Sequence, residues 1–153
     1  MFWFIITIII VALDQLSKYA VVKNIEFGKL IPVIEPLFYL TYHENKGAAW
    51  GILQNKRFFF IILTVIALAF IVYFMVKMDN KLLKTALSFI LGGAVGNLIE
   101  RIYKGSVTDF LDFYFGAYHF PTFNVADSFI TIGTILLAYY LLFVYKEPEK
   151  KVS

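Results

Sequence analysis

The stretch FFFIILTVIALAFIVYFMV, from Phe58 to Val76, carries no charge and is bounded by Lys56 and Arg57 before it and Lys77 after it. An uninterrupted apolar run of about 20 residues is the length that crosses the hydrocarbon core of a bilayer as an α-helix. It is read as a transmembrane span, and the rest of the chain is read outward from it. Ser128 to Tyr145 is likewise uncharged, closes on Lys146, and reaches spanning length when it begins near Asn124. Met1 to Leu13 is uncharged and then meets Asp14, Gln15, Ser17 and Lys18, so it spans by continuing to about Val22. No basic residue precedes that run and no small-x-small cleavage pattern follows it, which argues for a span and against a cleaved leader. Thr85 to Ile99 contains Gly92, Gly93 and Gly96 and needs Glu100 to Tyr103 for full length.

The composition agrees with four spans. Hydrophobic residues make up 60% of the 153 and charged residues 16%, and the mean hydropathy is +0.75. Both fractions are displaced from the soluble average of about 45–50% apolar and about 25% charged. The net charge, 14 − 11 = +3, is too small to suggest a nucleic-acid partner. Zero cysteines exclude disulfides, thiol nucleophiles and thiolate metal sites, and a total of two histidines, His43 and His119, argues against a histidine-rich metal site. The chain is thus expected to be one membrane-embedded domain over 1–153, with spans near 2–22, 58–77, 84–103 and 125–145 and outer loops 23–57 and 104–124. Four spans put both termini on one side. With Lys18 and Arg101 assigned to helices, the other twelve lysines and arginines divide six against six between the two sides, but those on the termini side crowd into two short segments, which places the termini in the cytoplasm.

In the first loop, Pro32 and Pro36 oppose a continuous helix. The aromatic-rich Phe38 to Tyr42 reads as a short strand, and Asn45-Lys46-Gly47 as a turn leading into Ala48-Ala49-Trp50-Gly51. A small extramembrane hairpin at the headgroup layer follows. His43-Glu44 lacks the second histidine of a zinc helix and reads as a solvated loop pair.

Ionisable groups inside spans are costly and are functional candidates by default. Here they gather at one end together with uncharged polar side chains: Asp14, Gln15, Ser17 and Lys18 in the first span, Asn97, Glu100 and Arg101 in the third, Asn124, Asp127 and Ser128 in the fourth. Helical spacing puts Asp14 on one face with Lys18, Gly93 with Asn97 and Arg101, and Asp127 with Thr131 and Thr134. Gly92 and Gly96 form a small-xxx-small pair that admits a neighbouring helix. Asn124 followed by Asp127 is equally a plain helix N-cap with an acid in the first turn. Ser17 and Lys18 are adjacent, hence on different faces, which argues against a serine–lysine dyad. Asp109 follows the third span and Asp127 opens the fourth, so the two carboxylates can meet at one interfacial level. Two carboxylates in one desolvated site share a proton, giving an acid and a base together. Such a pair can activate water against an amide without a metal or covalent intermediate. Asp112, three residues beyond Asp109, is the rival carboxylate.

Five motifs in order carry a resemblance: Asp14-Gln15-Leu16-Ser17-Lys18; Asn45-Lys46-Gly47-Ala48-Ala49-Trp50; Gly92 to Arg101; Val107-Thr108-Asp109-Phe110; and Phe120-Pro121-Thr122-Phe123-Asn124-Val125-Ala126-Asp127-Ser128. Along nearly its whole length the chain resembles lipoprotein signal peptidase, the bacterial signal peptidase II. The resemblance implies an aspartic endopeptidase of the bacterial plasma membrane that cuts prolipoproteins before a diacylglyceryl-modified cysteine. It implies an all-α integral membrane fold of four helices, carrying a small extracytoplasmic β-sheet and a short amphipathic helix. The family's catalytic aspartates fall on Asp109 and Asp127, and its supporting polar residues on Asp14, Lys18, Asn45, Asn97, Arg101 and Asn124. No cofactor or metal is implied, a monomer is expected, membrane lipid surrounds it, and cyclic lipopeptide antibiotics are expected inhibitors. Glu100 stands where the family usually has Asp, and Trp50 where Phe is common. A four-helix transporter or proton relay using Asp14, Asp109 and Asp127 is the competing class, with a non-catalytic scaffold behind it. A relay needs ionisable groups through the membrane depth, and the second span has none between Arg57 and Lys77.

Overall fold

A computed structural model describes residues 2–47 and 56–146. Among them are four helices long and apolar enough to cross a membrane: α1 (Phe2–Asn24), α2 (Arg57–Lys77), α3 (Lys81–Tyr103) and α4 (Val125–Tyr139), the last prolonged by a π-helical turn, Tyr140–Val144. Their bounds follow the charge-free runs closely. α3 begins three residues earlier than the apolar pattern suggests, because Asn80 caps it, its side-chain oxygen accepting from Leu83 N at 3.0 Å. Gly105, at φ +81°, turns the chain out of α3 in a conformation that other residues rarely adopt.

α3 is the central helix, with α1, α2 and α4 all packed on it. Its glycines make this possible. A Cβ at Gly93 would lie 2.3 Å from the Ala126 carbonyl oxygen of α4, and one at Gly96 would lie 2.5 Å from Asp14 Oδ2 of α1. The small-xxx-small pair Gly92 and Gly96 therefore seats α1, while Gly93 on the neighbouring face seats α4. A separate apolar cluster, Met75, Leu83, Leu87, Leu91 and Tyr140, closes the other end between α2, α3 and the π-helical turn.

The small sheet expected beside the four helices is present and makes the all-α label too narrow: it is four-stranded and antiparallel, ordered β1 (Ile31–Ile34), β2 (Phe38–Asn45), β3 (Val107–Phe115), β4 (Tyr118–His119). The strand read over Phe38 to Tyr42 extends to Asn45, so His43 and Glu44 belong to a strand and not to a loop. β3 was not foreseen: aromatics on both of its faces hide the two-residue alternation that marks a half-buried strand. β2 pairs with β3 in the register His43↔Asp109 and Tyr39↔Asp112, with a shift between Leu40 and His43. Phe110 packs on Val21 and Ile25 at the end of α1, which ties the sheet to the bundle. The segment Ala48-Ala49-Trp50-Gly51 lies outside the described residues, which also contain no amphipathic helix over 23–47.

Candidate active site

Four elements deliver the site. β3 carries Asp109 near its start, α3 carries Asn97 and Arg101 in its last turns, and α4 carries Asp127 in its first. β2 adds Asn45 at its end, beside the start of β3 through the pairing Asn45↔Val107. Asp109, Asp127, Asn45, Asn97 and Arg101 line one cavity of about 490 Å³, whose apolar wall includes Phe120, Pro121, Phe123, Ile130 and Ile132.

Each carboxylate is held by side-chain amides. Asp109 Oδ1 accepts from Asn124 Nδ2 at 2.7 Å and its Oδ2 from Asn45 Nδ2 at 3.0 Å. Asp127 Oδ1 accepts from Asn97 Nδ2 at 2.7 Å. The plain N-cap reading of Asn124 is also realised: Asn124 Oδ1 accepts from Asp127 N at 2.9 Å, and Asp127 Oδ2 accepts from Asn124 N at 3.3 Å, a full capping box. Cap and site are one arrangement, since the Asn124 amide not used by the cap reaches across to Asp109. Asn124 is fully buried. Burial, and next the charge of Asp127, push Asp109 up from the ordinary 3.8 to about 7, against the hydrogen bonds of Asn45 and Asn124 and the charge of Lys18.

Asp14 and Lys18 stand behind the cavity. Both are buried, and Lys18 Nζ lies 2.9 Å from Asp14 Oδ2, 3.3 Å from Glu100 Oε2 and 2.8 Å from Asn97 Oδ1. Two carboxylates and an amide oxygen thus surround the buried ammonium. By donating to Asn97 Oδ1, Lys18 orients that amide so that its Nδ2 points at Asp127. Asp14 Oδ1 accepts from Ala126 N at 2.9 Å, tying α1 to the first turn of α4. Arg101 places its guanidinium over the Phe60 ring, 5.2 Å from the centroid, at the edge of the cavity.

Sequence reasoning missed the part played by Glu100. Its carboxylate accepts from Thr108 N at 2.8 Å and Thr108 Oγ at 2.7 Å, fixing the backbone next to Asp109, and pairs with Lys104 as well. The signal was available: a buried lysine has three donors, and Asp14 alone does not satisfy them. Gln15 was noted only as polar, yet it bridges Asp14 Oδ2 and Gly96 O. Of the row Asp127, Thr131 and Thr134, Thr131 lines the cavity while Thr134 is exposed and bonds back to Ile130 O. Ser17 bonds to Asp14 O, away from Lys18. Asp112 is an odd number of residues from Asp109 on a regular strand, so it faces the other way. It pairs with His119 there, and is absent from the described lining of the cavity.

A model of the family described as signal peptidase (SPase) II matches residues 6–143. A curated relative, the lipoprotein signal peptidase of Bacillus pumilus (strain SAFR-032), is 45% identical over 155 residues, covering 100% of both chains. Two solved structures, described as a bacterial membrane enzyme determined by the in meso method at 2.3 and 1.9 Å resolution, are also similar. The first superposes with a TM-score of 0.88 at 40% identity, covering 99% of this chain and 94% of its own. The second gives 0.85 at 41% identity, covering 94% of each.

Proposed function

The chain belongs to the signal peptidase II family of membrane aspartic peptidases, and from that premise we propose that Asp109 and Asp127 are its catalytic pair in cutting prolipoproteins. The observation that carries this is the single cavity into which both carboxylates open, joined behind it through Asn124.

With Asp109 pushed up to about 7, the pair holds one shared proton near neutral pH. The ionised partner takes a proton from water as the oxygen attacks the scissile carbonyl carbon. The protonated partner donates a hydrogen bond to the carbonyl oxygen, stabilising the charge that develops there. Collapse breaks the C–N bond, the nitrogen leaves with a proton from the pair, and a carboxylic acid and an amine result. Asn45 and Arg101 orient the substrate backbone at the rim. Asn97 and Asn124 position the carboxylates, and Asp14 and Lys18 lock the helices that carry them. The diacylglyceryl group before which the family cuts would lie along Phe120, Phe123, Ile130 and Ile132, so that binding of its remote chains fixes the scissile bond.

The whole chain, 1–153, is read as one domain in a bacterial plasma membrane, with termini in the cytoplasm and the sheet and cavity at the extracytoplasmic face. A monomer suffices, because one chain supplies every group named, and cyclic lipopeptides would compete for the same cleft. The test is cleavage of a diacylglyceryl-modified prolipoprotein by purified protein in detergent, with EDTA throughout. Wild type should cleave, and Asp109→Asn and Asp127→Asn should each lose about 10²–10⁴-fold or more. Activity surviving both substitutions would discard the pair.

A further inference from the structure

On the face of the sheet turned away from the cavity, Asp112 is only 1% exposed and lies across from Tyr39 in the β2–β3 register. Its Oδ1 stands 2.5 Å from Nε2 of His119 on β4. The His119 ring stacks on Tyr114 with centroids 4.4 Å apart, and Tyr114 meets Tyr39 edge-on at 5.5 Å. A carboxylate buried among aromatic rings is strongly unfavourable without a donor. The His119 ring N–H supplies one. In return, Asp112 fixes a histidine whose side chain is otherwise half exposed.

His119 is where the chain turns back toward α4. Immediately after it, Phe120 N donates to Phe113 O at 2.9 Å, and Phe123 exchanges backbone hydrogen bonds with Leu111 at 2.8 and 3.1 Å. Between these anchors the residues Phe120, Pro121, Thr122 and Phe123 form one wall of the cavity. The amides that hold the carboxylates come from β2, α3 and the cap of α4, and none comes from β4. Asn124, which follows Phe123 directly, is the one donor next to the wall, and the backbone bonds of Phe123 to Phe110 and Leu111 hold that end, so the Phe120–Thr122 part can shift without removing a donor from the pair.

We propose that Asp112 and His119 are positioning residues for substrate: from the far face of the sheet their hydrogen bond holds the Phe120–Phe123 wall at the distance that grips the apolar part of the substrate. This rests on the peptidase reading above, and it assigns the pair to binding and not to the chemical step.

Steady-state cleavage and amide hydrogen exchange, run on the same full-length proteins in detergent, test it. His119→Ala should raise KM about tenfold, the loss of one hydrogen bond to a charged group, with kcat within about twofold of wild type. His119→Gln, whose amide N–H reaches a similar position, should restore most of the KM. Asp112→Asn combined with His119→Ala should raise KM no further than His119→Ala alone. Exchange across residues 116–124 should quicken in His119→Ala and return toward wild type in His119→Gln, while α2 is unchanged. An unaltered KM, a loss confined to kcat, or a Gln variant as impaired as Ala would overturn the proposal. Should wild type itself fail to cleave, the peptidase reading falls. The exchange data then still decide the wall, since equal exchange in all variants refutes the latch.

Discussion

α2 and α3 are consecutive helices of nearly equal length, and they solve opposite problems. α2 is the more apolar and has a single buried residue, Met75; α3 contains Ser88, Asn97 and Glu100 and buries eleven residues. In a water-soluble protein the order would be reversed. Here the solvent around the helices is as apolar as their side chains, so an apolar helix gains little by packing and turns its surface to lipid. The helix that packs is the one with glycines to let neighbours in and polar groups that need partners. Reading hydropathy along this chain thus finds the spans, while reading its interruptions finds the core.

Substitutions on the two helices should separate accordingly. The largest effect is expected at Gly93, where Val would drive a Cβ against the Ala126 carbonyl. Because backbone and not a flexible side chain is in the way, the cost should exceed about 4 kcal/mol, and the variant should fail to give a folded species by size-exclusion in detergent. Ala67→Val, on the exposed surface of α2, should be indistinguishable from wild type.

Lys18→Met comes next. It removes the cation shared by Asp14, Glu100 and Asn97, and breaking a buried pair from one side costs about 3–5 kcal/mol. The melting temperature should fall steeply, and activity should drop further than the folded fraction does, since Asn97 loses the donor that aims it at Asp127.

pH acts at the same polar end. Asp109 has an ordinary value of 3.8 and stands at about 7 in the folded protein, so between those values the folded state holds a proton that the unfolded chain has released. Stability therefore falls as pH rises from about 4 to about 7. The fall should flatten in Asp109→Asn, measured as the thermal midpoint against pH. Activity should decline above about pH 7 as the shared proton is lost. The smallest effect is expected for Ile66→Ala on α2, half exposed to the surroundings, at under about 0.5 kcal/mol. A loss of several kcal/mol there would mean that α2 packs against something.

Spans and catalytic candidates were legible in the sequence for the same physical reason. Charge is so costly in lipid that its absence marks α2, while the charged side chains of Asp14, Lys18 and Asp127 and the polar amide of Asn97 mark the places where helices must meet. The cap reading and the site reading of Asn124 were left open because spacing alone cannot tell them apart; the geometry satisfies both. The sheet was only half legible. β3 carries Phe110, Phe113 and Phe115 on both faces, so no alternation betrays it, and its pairing with β2 joins residues far apart in sequence, as in the Asn45–Asp109 hydrogen bond. The partner of Asp112 was hidden for a related reason: His119 reaches it only after a turn through Gly116, at φ +64°, folds β4 back.

The double duty of Asn124 bears on when the molecule becomes dangerous to its surroundings. One side chain both starts α4 and holds Asp109. A chain whose last helix has not yet entered the membrane has no nucleated first turn there, leaves Asp109 without that donor, and keeps Asp127 away from its partner. On the proposed reading of Asp109 and Asp127 as the catalytic pair, cleavage therefore requires α4 to be in place, and a copy whose last helix is outside the membrane is expected to be silent.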